Sequence, residues 1–360
     1  MSRAAFATIH LASLKQNLQR VREIGGGGKL MAVVKDDGYG HGLERVARAL
    51  ASADAFGVAA IADGLRLRAA GFRQRIVVLS GPDEAADLAE LRRLELDAVI
   101  HHDSQVAWLE ADRDARPIRV WLKIDSGMHR LGFAPQRAAE MYQRLRALPS
   151  IRTDITLMTH FAASDKFDQL LTAAQIGVFG AAVSDLAGEH SLANSAAVLG
   201  WPAARAQWLR SGGLLYGLSV VDGKTGADFG FQPAMTLSSK LIAVNDVRKG
   251  EHVGYAATWQ CPADMRIGVA AIGYGDGYPR SAASGTPVLV NGQRAALVGR
   301  VSMDLITIDL RNAPNAKVGD AVVLWGRGLP VEEIATHAGT ISYDLTCGMT
   351  KRVLFVEDES

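Results

Sequence analysis

The apolar stretch LMAVV at residues 30–34 ends in Lys35, and the turn-rich sequence DDGYGHG follows it at once. A short valine-rich run of this kind is typical of a buried parallel strand. Lys35 would then lie at the carboxyl end of the strand, where α/β folds place their catalytic groups. An amine with an apolar wall behind it suits imine formation with a carbonyl. A lysine that forms an ordinary salt bridge at a strand end would give the same pattern.

Strand-like and helical stretches alternate through the first 225 residues. The predicted strands span residues 30–34, 55–60, 76–80, 97–101, 118–124, 155–158, 190–193 and 207–210. The predicted helices include residues 63–70, 84–94 and 135–148 between the strands and residues 11–24 before them. Eight strands that alternate with helices favour a closed (β/α)8 barrel of the TIM type over an open doubly wound sheet. We therefore predict a barrel domain over residues 1–225.

The pattern changes near residue 226, after which helical periodicity largely disappears. The predicted strands here span residues 235–244, 266–272, 287–290, 295–298, 303–310 and 321–325, and only residues 331–338 look helical. Asn291-Gly292 between two of these strands is a strong signal for a two-residue hairpin turn. The sequence therefore predicts a mostly β second domain over residues 226–360.

Composition excludes several classes of protein. Hydrophobic residues make up 48% of the 360 residues, which is enough for a full core, and the formal net charge of +1 gives no electrostatic footprint for nucleic acid. The sequence has no run of 18 uncharged apolar residues, and its first ten residues lack the core of a signal peptide. Cys261 and Cys347 form no disulfide framework or metal-type pair. We expect a cytoplasmic protein with no membrane or nucleic-acid partner.

Polar side chains and glycines follow the predicted barrel strands, and the carboxyl ends of barrel strands form one rim. The rim residues are Lys35, Tyr39, Lys123, Arg130, His160, Ser195, Arg210, Gly212 and Gly213. The backbone N–H groups of Gly212 and Gly213, with the hydroxyls of Ser195 and Tyr39, could hold a phosphate dianion. The glycine-rich motifs of dinucleotide-binding and P-loop proteins are absent, and so are the clustered His and acidic ligands of a metal-dependent hydrolase.

Each of these residues also has an ordinary structural interpretation. His160 could be a hydrogen-bonded core histidine, and Arg210 could pair with a structural acid. Tyr255 and Tyr274 could be ordinary aromatic residues of the β domain, and Met303 could simply begin an alternating strand.

The order of these motifs resembles alanine racemase, a fold-type III pyridoxal-phosphate enzyme, along nearly the whole chain. The matching segments are VVK at 33–35 with YGHG at 39–42, WLKIDSGMHRLG at 121–132, MTHF at 158–161, NS at 194–195, R-x-G at 210–212, VGY at 253–255, IGY at 272–274, GRVSMD at 299–304 and ISY at 341–343. The resemblance implies interconversion of L-alanine and D-alanine, which supplies D-alanine for peptidoglycan. Alternatives are a racemase of the same fold that acts on serine or lysine, and a non-catalytic pyridoxal-phosphate carrier. The C-terminal β domain and Tyr255 argue against the carrier.

By this resemblance, Lys35 forms the internal aldimine with pyridoxal 5'-phosphate and acts as one base on the external aldimine of the substrate. Tyr255 resembles the opposing base, which the partner subunit of a homodimer supplies. Racemisation needs two such groups because a proton removed from one face must be replaced on the other. A phenol with the ordinary pKa of about 10 would be a poor base. His160 and Arg210 resemble the residues that form a hydrogen-bonded chain behind this tyrosine and favour its phenolate.

The resemblance also assigns the groups that hold cofactor and substrate. Arg210 is the partner of the pyridine nitrogen, and Arg130 contacts the cofactor phenolic oxygen and the substrate carboxylate. Lys123 matches a lysine that is often carbamylated in the family. Met303 and Tyr274 border the substrate pocket from the other subunit, because the β domain completes the partner's active site. The implied phosphate contacts are Tyr39, Ser195, Gly212, Gly213 and Tyr343.

Several positions depart from the usual family pattern. Asp36-Asp37-Gly38 replaces Ala-Asn/Asp-Ala before Tyr39, and Ser211 stands where proline is usual. Gly213 stands where an aliphatic residue is usual, and Gly275 replaces a common alanine. Extra glycine is expected to loosen the phosphate site by roughly 0.5–1 kcal/mol per position. These departures leave the breadth of amino-acid specificity open and leave Lys35 and Tyr255 in place.

Overall fold

The computed structural model describes residues 4–359 and contains an eight-stranded parallel sheet in its first half. The strands are Lys29–Val33, Ala55–Val58, Arg75–Val78, Asp97–Ile100, Val120–Lys123, Thr156–Met158, His190–Ser191 and Trp208–Ser211. The first seven strands pair in parallel, each with the next, and the first strand also pairs with the last. The final two strands share no ladder within residues 4–359, but the Arg210 N–H donates to the Ala193 carbonyl at 2.9 Å. The sheet is therefore a nearly closed barrel, and the predicted fold class is confirmed.

The amino end of the barrel is closed by a polar and aromatic floor. The Arg75 guanidinium lies 5.5 Å from the Trp121 ring centroid and 5.0 Å from that of Trp208. Asp97 accepts hydrogen bonds from Trp121 Nε1 and from Arg75 Nε, both at 3.0 Å. Because both indole rings are buried, this end of the barrel is filled, and the opposite end is the one that can open to a ligand.

Helices pack around the barrel at positions that the apolar spacing explains. The helix Leu11–Gly25 buries Leu14, Leu18 and Val21 on one face and ends at Gly26, whose φ of 70° forms a left-handed cap. The α-helices of this half are Leu11–Gly25, Leu43–Ala49, Ile61–Ala69, Asp87–Arg93, Asp103–Ala111, Ala138–Arg146, Leu171–Val183 and Ser195–Gly200. The four helices that were given bounds from the sequence are present with shifted ends, and the other four are helices of the predicted strand–helix alternation for which no bounds were given. Among residues 4–359, no helix is long and apolar enough to cross a bilayer.

A second eight-stranded sheet forms most of the remaining chain. Its strands are Phe6–His10, Met235–Val247, Met265–Ala270, Pro287–Val290, Gln293–Val298, Ile306–Asp309, Ala321–Trp325 and Leu354–Asp358. Six of them form a closed ring, because Met265–Ala270 pairs with both Ile306–Asp309 and Met235–Val247. Phe6–His10 pairs with Met235–Val247 and Leu354–Asp358. Residues 6–10 therefore lie in the second sheet, although the sequence analysis assigned them to the barrel.

Smaller elements complete the second domain. Asn291 and Gly292 have φ values of 48° and 78° between paired Val290 and Gln293, which is the two-residue hairpin turn that the sequence predicts. The predicted strand 303–310 begins only at Ile306. The further elements are the paired strands His252–Val253 and Trp259–Gln260 and the helices Val331–Ala338 and Ser342–Cys347. The helix 331–338 was predicted with these bounds, whereas 342–347 was not.

Candidate active site

A cavity of about 850 Å³ opens at the carboxyl ends of the barrel strands. Lys35 follows the strand Lys29–Val33, Lys123 ends its strand, and Arg210 lies in Trp208–Ser211. The sequence-predicted residues that line this cavity are Lys35, Tyr39, Lys123, Arg130, His160, Ser195, Arg210, Gly212, Gly213 and Tyr343. Four of the ten carry basic amine or guanidinium groups, which can bind an anion. The carboxylates that line the same cavity are Asp36, Asp165, Asp222 and Glu332.

The chain turns sharply after Lys35 through a left-handed segment. Asp36, Asp37 and Gly38 have φ values of 55°, 51° and 65°, and Tyr39 has 52°. Left-handed backbone costs most residues about 1–2 kcal/mol each, but Gly, Asp and Asn tolerate it best. The sequence Asp-Asp-Gly therefore fits this turn, and Asp37 Oδ1 stabilises it by accepting the Leu43 N–H at 3.1 Å. The turn brings Tyr39 back to the cavity that Lys35 lines.

Two tyrosine hydroxyls converge on the Gly212–Gly213 backbone. A Cβ atom on Gly212 would overlap the Tyr39 hydroxyl, and one on Gly213 would overlap that of Tyr343. Within residues 4–359 neither hydroxyl has a hydrogen-bond partner. Burial raises the pKa of both phenols, so both stay protonated and can donate. The Gly212 N–H donates to Ser195 Oγ at 2.8 Å. This cup of hydroxyl and glycine groups matches an anion such as phosphate.

Arg210 is a buried cation held by neutral acceptors. Its Nη1 donates to the carbonyl and hydroxyl oxygens of Ser191 at 2.7 Å, and its Nη2 donates to the Thr159 carbonyl at 2.6 Å. No carboxylate of residues 4–359 forms an ion pair with it, and its Nε has no acceptor among them. Burial lowers the pKa of Arg210 to about 10, so it remains charged at neutral pH. This fixed donor can bind a ring nitrogen without losing its proton.

His160 is the neighbour of Arg210 within the cavity. Arg210 Nη2 lies 3.5 Å from His160 Nδ1. Burial and then the charge of Arg210 hold the pKa of His160 well below its ordinary value of 6.5. The ring is therefore neutral at pH 7. Because a guanidinium only donates, Nδ1 accepts and the ring hydrogen lies on Nε2. His160 can thus donate one hydrogen bond away from Arg210.

Lys123 is buried among cations. Its side chain lines the cavity, and the residue is 7% exposed. Burial, followed by the charges of Arg210 and Arg130, lowers the pKa of its amine to about 8. A site that disfavours a third positive charge favours either a neutral amine or a modified, anionic group.

Three predicted site residues lie outside this cavity, on the β domain. Tyr255, Tyr274 and Met303 are 68%, 40% and 52% exposed. Tyr274 and Met303 are neighbours: the Tyr274 N–H donates to the Ser302 carbonyl at 3.0 Å, and the Gly275 N–H donates to that of Met303 at 2.9 Å. The single chain therefore gathers ten of the predicted residues and leaves these three on its surface.

Some residues of the cavity were not found from the sequence. Glu332 lines it and accepts the Ser219 N–H at 2.6 Å, and burial raises the pKa of its carboxyl. Cys347 also lines it, and burial raises the pKa of its thiol to about 12. A glutamate in the first turn of a predicted helix carries no signal that distinguishes it from an ordinary helix start.

Comparison with known families covers nearly the whole chain. The family described as alanine racemase, N-terminal domain, matches residues 9–220, and the one described as alanine racemase, C-terminal domain, matches residues 234–356. The chain belongs to the alanine racemase family. The predicted family and enzyme class are thereby confirmed.

Individual alanine racemases are similar along their full length. Alanine racemase of Shewanella sediminis is 50% identical over 347 residues, which cover 96% of this chain and 97% of that protein. Alanine racemase of Shewanella loihica is 50% identical over 341 residues, 95% of each chain. The biosynthetic alanine racemase from Pseudomonas aeruginosa superposes with a TM-score of 0.96 at 43% identity over 100% of both chains. The alanine racemase from Acinetobacter baumannii superposes with a TM-score of 0.94 at 35% identity, over 99% of this chain and 100% of that chain.

Proposed function

We propose that this protein interconverts L-alanine and D-alanine with pyridoxal 5'-phosphate as its cofactor. The observation that carries the proposal is the convergence of Lys35, Arg210 and the hydroxyl–glycine cup on one cavity at the barrel mouth. A primary amine, a fixed donor for a ring nitrogen and a phosphate cup are the three binding features that this cofactor requires.

The groups that would hold the cofactor follow from the geometry of the cavity. Lys35 would bind its aldehyde carbon, and Arg210 would donate to its ring nitrogen. The cup would donate hydrogen bonds to its phosphate through Tyr39, Ser195, Gly213 and Tyr343, and the Gly212 N–H, which donates to Ser195 Oγ, would orient that hydroxyl. When bound, the cofactor supplies a conjugated ring that withdraws electrons and acidifies the substrate α-hydrogen. Arg210 retains its own proton, which limits this withdrawal and favours return of the proton to the α-carbon.

Two bases exchange the α-hydrogen in this proposal. The Lys35 amine removes or returns the proton on one face, and the phenol of Tyr255 of the partner subunit acts on the other. His160 supports the second base because its neutral ring presents the Nε2 hydrogen away from Arg210. A hydrogen bond to a phenolate oxygen lowers the pKa of the phenol. The exposure of Tyr255 on its own chain supports a role in a partner's site.

Arg130 is proposed to hold the substrate carboxylate, and Lys123 is proposed to position Arg130. Arg130 lines the cavity and would pair with that carboxylate. The lowered pKa of Lys123 provides a neutral amine that can attack CO2 with loss of a proton. The resulting carbamate anion would lie between Arg130 and Arg210 and hold Arg130 in place. Intact-protein mass spectrometry would show this modification as the added mass of one CO2.

The working unit is proposed to be a homodimer in which Tyr255, Tyr274 and Met303 of each β domain complete the partner's site. Its D-alanine would serve peptidoglycan synthesis, and we expect it to act in the cytoplasm. All three residues are exposed on the single chain, as residues of such a composite site must be before assembly.

A chiral assay over a panel of amino acids tests the proposed substrate. We expect the largest kcat/KM for alanine. Serine and lysine belong in the panel. Lysine is included because the carboxylates of Asp36 and Asp165, which also line the cavity, could bind its side-chain ammonium group. A kcat/KM for serine or lysine well above that for alanine would contradict the proposal.

Borohydride reduction tests the cofactor lysine. The reduced holoenzyme should carry the cofactor on the peptide that contains Lys35, and Lys35→Ala should abolish both labelling and racemisation. Lys317→Ala, at a lysine whose side chain is 79% exposed, is the matched control and should change neither. Labelling at another lysine would overturn this assignment.

A further inference from the structure

We propose that Asp125 is a positioning residue that fills a backbone anion site with its own carboxylate and so fixes the loop that carries Arg130. The inference rests on the proposed function, in which Arg130 binds the substrate carboxylate. It adds a residue outside the cavity lining to the substrate-binding machinery.

The carboxylate of Asp125 gathers the start of the loop around a single oxygen. Its Oδ1 accepts the backbone N–H groups of Gly127, Met128 and His129, each at 3.0 Å. Its Oδ2 lies 3.1 Å from His129 Nδ1. Three successive N–H groups that point at one anion form a nest, which is a common way for backbone to bind phosphate or carboxylate. Here the anion belongs to the chain itself.

The loop adopts backbone conformations that need such support. Gly127 has a φ of 130°, and His129, which is not a glycine, has a φ of 56°. A left-handed non-glycine residue costs about 1–2 kcal/mol and persists only where its surroundings enforce it. Arg130 directly follows His129 in the chain. The residues that precede Arg130 therefore set its direction. Asp125 holds these residues by accepting their backbone N–H groups.

The base of the loop is closed by the barrel. The Asp125 N–H donates to the Phe133 carbonyl, and the Phe133 N–H donates to the Lys123 carbonyl, both at 2.9 Å. Gly132 has a φ of 131°, and a Cβ atom there would lie 2.6 Å from the Asp125 nitrogen. Both ends of the loop are thus held by backbone contacts, whereas its tip is held by the Asp125 carboxylate.

The charge of Asp125 is part of this arrangement. Its side chain is 16% exposed, and burial alone would raise its pKa. The backbone N–H bonds and His129 outweigh burial and hold the pKa below its ordinary value, so the group is a carboxylate at neutral pH. If the carboxylate is removed, the nest loses its anion while the loop ends stay anchored. A small external carboxylate should then be able to enter the nest and restore the position of Arg130.

The experiment is chemical rescue of Asp125→Ala in the holoenzyme with formate and, as a neutral isostere, formamide. We expect Asp125→Ala to raise KM for alanine about tenfold or more, since it loses three charge-assisted hydrogen bonds. Formate should recover much of that loss, whereas formamide should not. Asp320→Ala removes a carboxylate that accepts the Lys317 N–H at 2.9 Å away from the cavity, and it should leave KM unchanged with and without formate. Arg130→Ala should lose activity that formate does not restore.

Asp125→Asn keeps the test decisive if the alanine variant fails to fold. Its amide oxygen can still accept hydrogen bonds from the N–H groups but carries no charge. The KM for alanine should therefore rise by a smaller factor than in Asp125→Ala, and kcat should change by a smaller factor than KM. An unchanged KM in Asp125→Asn, or a folded Asp125→Ala that formate does not improve, would overturn the inference. A wild-type protein that racemises no amino acid would instead overturn the proposed function, so the two failures are distinguishable.

Discussion

Gly213 shows how one residue can decide whether two elements meet at a binding site. A Cβ atom at this position would overlap the hydroxyl of Tyr343. The glycine that was expected to loosen the phosphate site therefore makes room for the Tyr343 hydroxyl, which is proposed to bind the phosphate. Tyr343 lies in the helix Ser342–Cys347 of the second domain, so Gly213 lets the second domain contact the barrel mouth.

We predict that Gly213→Ala weakens cofactor binding by displacing the Tyr343 hydroxyl. Loss of one hydrogen bond of ordinary strength corresponds to a roughly five- to tenfold rise in the Kd for pyridoxal phosphate. Equilibrium dialysis of the apoenzyme measures this constant. Gly177→Ala is the matched control, because a Cβ atom there would meet no atom within 4 Å. An unchanged Kd for Gly213→Ala would contradict the role of this contact.

His41 should make the stability of the protein depend on pH. Its ring is fully buried, its Nδ1 donates to the Tyr39 carbonyl at 2.8 Å, and burial lowers its pKa from 6.5 to about 4. Below pH 6.5 the unfolded chain binds a proton that the folded chain does not. The free energy of unfolding should therefore fall between pH 6.5 and about 4, by about 3 kcal/mol in total. Above pH 6.5 this residue contributes no pH dependence.

His41→Asn isolates this effect, because the amide can still donate to the Tyr39 carbonyl but does not titrate. Urea unfolding of both proteins from about pH 7 to about pH 4.5 gives the comparison. The variant should be less stable at neutral pH, and the difference should shrink as the pH falls. His337→Asn, at an exposed histidine, is the control for the substitution itself. Parallel stability curves for His41→Asn and wild type would rule out this assignment.

Single residues were predictable from the sequence where they follow a recognisable strand. Lys35, His160 and Arg210 follow or end short apolar runs, and barrel geometry then places them at one rim. Glu332 was not singled out, and Asp125 was named only as part of the segment WLKIDSGMHRLG, without a role of its own. An acid in the first turn of a helix and an aspartate two residues before a glycine occur in many proteins. The partner of Glu332 is Ser219, 113 residues earlier in the chain, and no local pattern reports such a contact.

Gly275 illustrates how a short element depends on a side chain from elsewhere in the chain. The turn Tyr274–Asp276 is crossed by Arg352, which pairs with Asp304 and, through its Nε, with Asp276 Oδ1 at 3.2 Å. A Cβ atom on Gly275 would overlap Arg352 Nη1 and lie 3.0 Å from the Met303 carbonyl oxygen. The glycine that replaces a common alanine in this family therefore leaves space for the arginine.

We predict that Gly275→Ala lowers the free energy of unfolding by about 1–2 kcal/mol, because the added methyl overpacks this contact. In an Arg352→Ala background, Gly275→Ala should change the free energy of unfolding only slightly, because the guanidinium that the methyl overlaps is absent. A double-mutant cycle by urea unfolding measures this coupling. Gly180→Ala is the control, because a Cβ atom there would meet nothing within 4 Å. Its effect on the free energy of unfolding should add to that of Arg352→Ala. Additive effects for Gly275→Ala as well would argue against the contact.

Helices and strands were predictable where the pattern of neighbouring residues alone indicates them. All eight barrel strands and the helix Val331–Ala338 follow from apolar runs and periodicity. The strand Phe6–His10 was missed because its partners begin at residues 235 and 354. The left-handed turn after Lys35 was also missed, since Asp36 and Asp37 give no unique signal for positive φ and the turn depends on contacts from residues 43 and 66.

The whole molecule separates the groups of the proposed mechanism between two surfaces. One cavity at the barrel mouth contains Lys35, His160 and Arg210, whereas Tyr255 is exposed on the β domain and absent from the residues that line the cavity. In the proposed two-base mechanism, a second copy of the chain supplies Tyr255.

Complementation between two inactive variants tests the shared site most directly. Lys35→Ala and Tyr255→Phe homodimers should each be inactive, because every site lacks one base. In a mixed dimer, one site has both defects and the other has neither. A randomly re-associated equal mixture, in which about half of the dimers are mixed, should therefore recover about a quarter of wild-type activity. Mixed dimers verified by mass that show no alanine racemisation would contradict the account, because two bases from the same chain would leave every site defective.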